Sequence, residues 1–256
     1  MKLVLLIWFL CCALQVAAQH ETIDTNFHVY LLIGQSNMAG RGVPDGESKE
    51  INEQILMLDS QNHWVPATDP VHFDKPEVIG VGPAIAFANS MLEKNSKTKI
   101  GLIPCALGGS PIKVWEPGAV YLNKFHPYDD AISRAQLAMK RGVLKGIIWH
   151  QGESDNDSAR ATVYIQKLGT LINRLRNELK QPGLPFVAGE LGYFNKADHI
   201  NKVIHQLPAQ VSYTAVVSAK GLTHKGDQLH FDTESARELG KRYAAAMKQL
   251  QMNKHD

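Results

Sequence analysis

Cysteine is scarce in this sequence. Only 3 of the 256 residues are cysteines, and two of them, Cys11 and Cys12, lie in the N-terminal segment. Cys105 has no disulfide partner once that segment is removed, and its apolar setting in "KIGLIPCAL" predicts a small buried side chain. A disulfide-stapled scaffold is therefore excluded, and the chain must rely on a hydrophobic core.

Charge of one sign is also lacking. Lys and Arg number 27 against 25 Asp and Glu, and the two signs are interspersed along the chain. A nucleic-acid-binding surface would show clustered Lys and Arg and a much higher isoelectric point. The histidines also lack the spacing of a Cys/His or HExxH metal site; the scattered ones are His63, His72, His126, His199 and His205. We expect neither a nucleic-acid partner nor a metal or organic cofactor.

A long hydrophobic run occurs at the N-terminus. "MKLVLLIWFLCCALQVAAQ" places a lysine, an apolar stretch and small residues in the order of a secretory signal peptide. The apolar stretch, from Leu3 to about Leu14, is shorter than the roughly 20 residues of a membrane span. We predict a signal peptide over residues 1–19, one domain over 20–256, a secreted or periplasmic protein, and no membrane attachment after cleavage.

Five apolar segments alternate with helical patterns in the rest of the chain. The segments are continuous rather than alternating, as expected for strands covered on both faces; they cover 28–34, 99–105, 145–150, 185–190 and 213–219. The helical patterns cover 82–95, 128–142, 158–180, 196–206 and 233–250, the last with Thr233 as N-cap. This alternation predicts a three-layer α/β/α sandwich with a five-stranded parallel sheet of flavodoxin-like strand order 2-1-3-4-5.

The stretch between Gly40 and Gly82 is too long for an ordinary connection. It contains "QILMLD" and "HWVPAT", which predict a small hairpin. A long connection of this kind is often functional, so we expect the hairpin to form one wall of a binding cleft.

Polar and small residues occupy the ends of the predicted strands, where ligands bind in such sheets. The first strand ends in "GQSNMAG", the second in "CALGGSPIKVW" and the third in "WHQGESD", and "GDQLHFD" follows the fifth. Ser36 lies among small residues that leave its hydroxyl accessible, and it would need an adjacent base to act as a nucleophile. Taken alone, this stretch is equally compatible with Ser36 as the cap of the following helix.

The block around Ser36 lacks the G-x-S-x-G pattern of an α/β-hydrolase elbow. Instead, G-Q-S-N at the first strand resembles the nucleophile block of the SGNH hydrolases, a superfamily of small esterases on a flavodoxin-like fold. "GQSNMAGRG", "GGSPIKVW", "WHQGESD" and "DQLHF" together resemble carbohydrate esterase family 6 and the related sialate O-acetylesterases. The four blocks occur in the family order and span Gly34 to Phe231.

The resemblance implies that His230 is the base for Ser36. Asp227 stands three residues before His230, as in the family's D-x-x-H, where the acid orients the imidazole. An isolated His-Asp pair of this spacing would more simply make a loop hydrogen bond. Glu153 and Asp232 are alternative acids, and His224, which lacks the spacing, is expected in the cleft wall.

Three oxyanion donors follow from the resemblance. They are the backbone N–H groups of Ser36 and Gly109 and the side-chain amide of Gln151, which stands where the superfamily usually has asparagine. The alternative for Gln151 is a hydrogen bond that orders its loop.

Other polar residues of the blocks are candidate substrate contacts or supports. Glu153 is expected to hold loops or the Asn37 side chain rather than to act in catalysis, with Arg41 as an opposite charge. Asn37, Arg41 and Lys113 are candidate substrate contacts. Trp115 is either a face on which a sugar ring stacks or a packed loop anchor.

The resemblance implies a secreted serine esterase that removes O-acetyl groups from a carbohydrate without a cofactor. Acetylated xylan is the expected substrate, because sialate O-acetylesterases of this group commonly carry additional modules. Two other classes are less compatible with the blocks. A non-catalytic carbohydrate-binding protein would not need the Ser-His pair, and a lipase or thioesterase would need a long apolar acyl groove.

Overall fold

The computed structural model describes residues 22–92, 97–195 and 198–253. The predicted signal peptide lies outside these residues, as do the end of the predicted helix at 82–95 and the start of the predicted helix at 196–206. Among the helices of the described ranges, none is long and apolar enough to span a membrane.

Seven strands form one sheet. They are β1 (Asp24–Gly34), β2 (Ile55–Leu58), β3 (Trp64–Pro66), β4 (Lys99–Pro104), β5 (Gly142–His150), β6 (Phe186–Gly189) and β7 (Thr214–Val217). Their order is β3-β2-β4-β1-β5-β6-β7, and every neighbouring pair is parallel except β2 and β3. The predicted order 2-1-3-4-5 is therefore confirmed for β4, β1, β5, β6 and β7.

The prediction of five strands is wrong. The residues expected to form a separate hairpin do pair with each other as β2 and β3, but β2 also pairs in parallel with β4. The hairpin thus extends the sheet instead of standing beside it as a cleft wall. Arg134 holds it in place, because its guanidinium donates hydrogen bonds to the carbonyl oxygens of Leu58 and Asp59 at the end of β2.

Helices cover both faces of the sheet. The α-helices are α1 (Ser36–Ala39), α2 (Ala84–Met91), α3 (Pro127–Ala138), α4 (Ser158–Glu178), α5 (Asp198–Ile204), α6 (Leu207–Gln210) and α7 (Thr233–Met252). Short 3-10 helices cover Glu47–Lys49, Ile112–Val114, Glu153–Asp155 and Tyr193–Asn195. The predicted three-layer α/β/α sandwich is confirmed.

The central strand β1 shows why both faces are covered. Val29, Leu31 and Ile33 point into a core shared with residues of α3 and α4, whereas Tyr30 and Leu32 point into a second core shared with α2 and α7. Successive side chains of a strand point to opposite faces, so an unbroken apolar run requires a helical layer on each side.

Two predicted helix boundaries are wrong. Asp232, not Thr233, caps α7, since its carboxylate accepts a hydrogen bond from the N–H of Ser235 at 2.8 Å. The predicted helix at 128–142 ends at Ala138, because the chain turns there and β5 already begins at Gly142. Cys105 is a free thiol that is only partly buried, and burial raises its pKa to about 11.

The cap of α7 gives a prediction for stability. Replacing Asp232 by Ala leaves the N–H of Ser235 without its acceptor, and should lower the free energy of unfolding by about 1 kcal/mol. Asp232→Asn is the matched control, because asparagine is an equally good capping residue. Urea denaturation of both variants measures the effect, and equal losses for Ala and Asn would contradict it.

Candidate active site

The exits of β1 and β5 lie against each other at the carboxyl edge of the sheet. Gln35 donates its N–H to the carbonyl oxygen of His150 at 2.8 Å. Gly34 has φ +130°, and a Cβ on it would lie 2.1 Å from that same oxygen. Glycine is therefore required at this position, and the close approach places Ser36 at the first turn of α1, beside the loop that follows β5.

Ser36, His230 and Asp227 form a continuous chain of hydrogen bonds. The imidazole Nε2 of His230 lies 3.0 Å from Ser36 Oγ, and its Nδ1 lies 2.7 Å from Asp227 Oδ2. The other carboxylate oxygen of Asp227 accepts the N–H groups of Leu229 and His230 at 3.0 and 2.8 Å. The short loop therefore orients the acid and the imidazole together, as the D-x-x-H spacing predicted.

The electrostatics of this chain favour a neutral imidazole. Burial lowers the pKa of His230 below its ordinary value of 6.5, although the Asp227 carboxylate opposes the shift. For Asp227, partial burial alone would raise the pKa, but hydrogen bonds from the His230 backbone and ring and from Leu229 lower it to about 2. At neutral pH the site thus holds an ionised acid and an imidazole that is ready to accept a proton.

His224 orders the loop that carries the acid. Its Nδ1 accepts hydrogen bonds from the N–H groups of Gly226 and Gln228 at 3.0 and 3.1 Å, and its ring packs on Phe194 at 5.2 Å between centroids. Gly226 and Gln228 both have positive φ. The imidazole of His224 therefore shapes a strained turn, a role that its expected place in a cleft wall did not include.

Two backbone N–H groups are available as oxyanion donors. Those of Ser36 and Gly109 have no hydrogen-bond partner within the described residues. Gly109 has φ +80° and is exposed, and a Cβ on it would lie 3.0 Å from the hydroxyl of Tyr121. Glycine thus allows the conformation and leaves its N–H open to a substrate.

Gln151 does not supply a free donor, contrary to the prediction. Its side chain is fully buried, and Nε2 lies 2.6 Å from Asp155 Oδ2, 3.1 Å from Gln35 Oε1 and 3.2 Å from the carbonyl oxygen of Ser110. All three neighbours are acceptors, so both amide hydrogens are used inside the protein. Gln151 has the alternative role, that of a loop-ordering residue.

The alternative acids do not contact the His230 ring. Asp232 caps α7 and also bonds the hydroxyl of Thr223. Glu153 accepts a hydrogen bond from Asn37 Nδ2 at 2.5 Å, which is the support that the sequence led us to expect. Of the three carboxylates, Asp227 is placed to orient the imidazole.

Asn37 is not placed to contact a substrate. It is 4 % exposed, and its Nδ2 donates to Glu153 and to the carbonyl oxygen of Leu229, while its Oδ1 accepts the N–H of Phe231 at 3.1 Å. Leu229 and Phe231 are the neighbours of His230. Asn37 therefore fastens the histidine loop directly behind the nucleophile.

Arg41 is also occupied inside the protein, and it does not pair with Glu153. Its guanidinium binds Asp74 at 2.8 Å in a buried ion pair and donates to the carbonyl oxygen of Gly40. Asp74 in turn accepts the N–H of Gly108 at 2.8 Å. The pair thus joins the end of the first block to the glycine loop of the second.

Trp115 is a packed loop anchor rather than a sugar-stacking face. It is 1 % exposed, donates Nε1–H to Ser110 Oγ at 3.1 Å and packs edge to face on Trp149. A sugar cannot reach its ring. Lys113, two residues earlier, is exposed.

Three supporting residues had no recognised role in the sequence. Asp74 and Asp155 each bind two of the blocks, and the Gln35 side chain accepts hydrogen bonds from Gln151, Gly152 and Ser154. Their partners are distant in the chain, so no local spacing could reveal them. The only signal was the presence of Gln35 and Asp155 inside the blocks.

A serine hydroxyl bonded to a His-Asp pair, beside two open N–H groups, can attack an ester and hold the resulting oxyanion. Fold and site thus define a serine hydrolase on a flavodoxin-like sheet. Residues 26–249 match the family described as carbohydrate esterase, sialic acid-specific acetylesterase. The chain belongs to this family of carbohydrate acetylesterases and is an esterase, which confirms the resemblance found in the sequence.

Individual relatives agree with this assignment. A probable carbohydrate esterase of Arabidopsis thaliana is 37 % identical over 240 residues, which cover 85 % of this chain and 89 % of the relative. A crystal structure of an Arabidopsis thaliana protein matches with a TM-score of 0.78 and 34 % identity, over 88 % of this chain and 99 % of that one.

More distant structures share the fold. NanS matches with a TM-score of 0.71 at 20 % identity, over 91 % of this chain and all of that one. A carbohydrate acetylesterase of Xanthomonas citri matches with a TM-score of 0.67 at 20 % identity, over 89 % of this chain and 56 % of that one.

The geometry predicts a large effect for Asp227. Asp227→Asn removes the acceptor for His230 Nδ1–H and favours the wrong tautomer, so kcat should fall roughly a thousandfold to ten-thousandfold. Hydrolysis of an aryl acetate measures it. Asp232→Asn, three residues from the same loop position, is the control and should keep near-normal kcat. An equal loss in both variants would show that Asp227 has no special role.

The lowered pKa of His230 predicts the acid limb of the pH profile. Protonated His230 cannot accept the Ser36 proton, so activity falls as pH drops through the pKa of His230 in the folded protein. Because burial lowers that pKa, kcat/KM should stay high below pH 6.5 before it declines. A midpoint clearly above 6.5 would contradict the neutral, buried imidazole.

Proposed function

We propose that this esterase is secreted and removes O-acetyl groups from acetylated xylan by an acyl-enzyme mechanism. The observation that carries the mechanism is the chain from Ser36 through His230 to Asp227, with separations of 3.0 and 2.7 Å, beside two unpartnered N–H groups. The apolar N-terminal segment of residues 1–19 supports export, which suits a polymer that cannot enter a cell.

The reaction proceeds in two halves. Ser36 Oγ attacks the acetyl carbonyl while His230 Nε2 takes its proton, and the N–H groups of Ser36 and Gly109 bind the oxyanion. His230 then gives the proton to the departing sugar oxygen, which leaves an acetyl-serine. A water molecule deprotonated by His230 attacks this ester, and its collapse releases acetate and restores Ser36.

A small acyl group fits the space above the donors. The hydroxyl of Tyr121 stands 3.0 Å from where a Cβ on Gly109 would be, so Gly109 has little room above it. The side chains behind the nucleophile, Gln35 and Asn37, are buried and polar and offer no apolar groove. These features favour acetyl over long acyl chains and argue against a lipase or thioesterase.

A neutral sugar fits the charges better than a sialic acid. Recognition of a sugar carboxylate calls for a free cation, and Arg41 is already paired with Asp74. The second candidate is nevertheless a sialate O-acetylesterase, because the matching family carries that specificity in its description. A non-catalytic sugar-binding protein would have no use for the assembled Ser-His-Asp chain.

Acetate release distinguishes these candidates. We expect release from acetylated xylan to exceed release from O-acetylated sialic acid, and Ser36→Ala to lose at least roughly a thousandfold in kcat. Ser133→Ala, an exposed serine on α3, is the matched control and should behave as the unmodified protein.

Each alternative has its own outcome in these assays. Faster release from sialic acid would select the second candidate, and near-normal activity of Ser36→Ala would overturn the mechanism. On aryl esters acetate should be preferred, and faster hydrolysis of octanoate would overturn the acetylesterase assignment.

A further inference from the structure

Glu153 is a buried carboxyl group that has no cation beside it. Its side chain is 4 % exposed, Oε1 accepts one hydrogen bond from Asn37, and Oε2 has no partner among the described residues. Arg41, the expected counter-charge, is bound to Asp74. An uncompensated carboxylate in such a place is unfavourable, and the usual response of a protein is to keep the group protonated.

The nearest polar atom is a nitrogen that lacks a hydrogen. Tyr243 has one hydroxyl hydrogen and donates it to the carbonyl oxygen of Trp149 at 2.8 Å. The contact of 3.0 Å between Tyr243 Oη and His150 Nδ1 is therefore donated by the imidazole. A neutral His150 with its hydrogen on Nδ1 has a lone pair on Nε2, and this atom is buried and without a partner.

The two unsatisfied groups lie next to each other. Glu153 Oε1 is 3.9 Å from His150 Nε2, which is too long for a hydrogen bond. A shift of about 1 Å would bring the carboxyl group to hydrogen-bonding distance. Only a protonated carboxyl has a hydrogen to give, since Asn37 Nδ2 already serves Glu153 and Leu229.

We propose that Glu153 is a positioning residue that works in its protonated form: it donates a hydrogen to His150 Nε2 and, through Asn37, holds the loop of His230 against Ser36. This inference rests on the proposed function, because it assigns the support of the proposed base. Asn37 transmits the effect, since it binds the backbone on both sides of His230, at Leu229 and Phe231.

The titratable groups around Glu153 are consistent with a neutral carboxyl. Burial raises its pKa to about 7, against the opposing hydrogen bonds from Asn37 and the N–H groups of Glu153 and Gly152, and Asp155 adds to the rise. His150 stays neutral, because burial lowers its pKa to about 3. Tyr164 and Tyr243 also face Glu153, and burial raises both of their pKa values.

Stability as a function of pH tests the protonation state without any assay of activity. The pKa of Glu153 is raised in the folded protein from 4.5, so its contribution to stability is complete below that value and is lost as pH rises through about 7. Glu153→Gln mimics the protonated acid, with one acceptor and one donor side. The variant should match the unmodified protein near about pH 5 and be the more stable of the two near about pH 9.

Glu190 offers a matched control of opposite character. Its buried carboxylate accepts hydrogen bonds from Tyr193, His205, Ser218 and the N–H of Ala219. These bonds outweigh the effect of burial and lower its pKa. Glu190→Gln should therefore be less stable than the unmodified protein near about pH 9, and the infrared band of a protonated carboxyl group should be lost in Glu153→Gln but not in Glu190→Gln.

Kinetics test the positioning role. Glu153→Gln should keep kcat within about threefold, whereas Glu153→Leu, which gives Asn37 no acceptor, should lose between about tenfold and a hundredfold in kcat with little change in KM. The activity of the unmodified protein should decline above about pH 7, and that of Glu153→Gln should not.

Distinct results would overturn the inference. A loss of kcat in Glu153→Gln as large as in Asp227→Asn would make Glu153 a working carboxylate, and an unchanged kcat in Glu153→Leu would remove the positioning role. Lower stability of Glu153→Gln at alkaline pH would show that the charged form is native. Activity in Ser36→Ala would instead overturn the proposed function, while the stability and infrared results would still report on Glu153.

Discussion

The contact between Ser36 Oγ and His230 Nε2 joins residues 194 positions apart, and the rest of the site depends on holding it at 3.0 Å. Ser36 is fixed by the central strand β1 and by the close approach of Gly34 to His150. The imidazole arrives on an irregular loop between β7 and α7. Asn37, the residue after the nucleophile, binds that loop on both sides of the histidine, so the nucleophile and the support of its base share one short segment.

Buried polar groups behind the site explain how exposed loops keep this geometry. Gln35, Gln151 and Asp155 tie the exits of β1 and β5 to the loop that follows β4, and Arg41 with Asp74 ties the same loop to the end of α1. Each of these side chains uses its donors and acceptors on other blocks. The four blocks therefore form one connected network, in which the reacting groups are the members left open to a substrate.

The strand order and the Ser36, His230 and Asp227 arrangement were predictable because each depends on a local pattern. Apolar runs alternating with helical periods define a doubly wound sheet, and a strand-end serine and a D-x-x-H loop are recognisable in isolation. The roles of Gln151, Arg41 and Trp115 were not predictable. Each is determined by partners that the sequence does not mark, such as Asp155, Asp74 and Ser110, which capture the side chain before a substrate could.

The sequence by itself determined which residues can do chemistry and the edge of the sheet at which they meet, because these follow from residue type and strand position. Only the tertiary structure decided which of them remain free. Hydrogen-bond capacity is shared out in space, so an amide or guanidinium with buried acceptors nearby becomes a support, as Gln151 and Arg41 do. The Ser36 hydroxyl and the Gly109 N–H stay available because the chain folds nothing over them except the His230 imidazole and the Tyr121 hydroxyl.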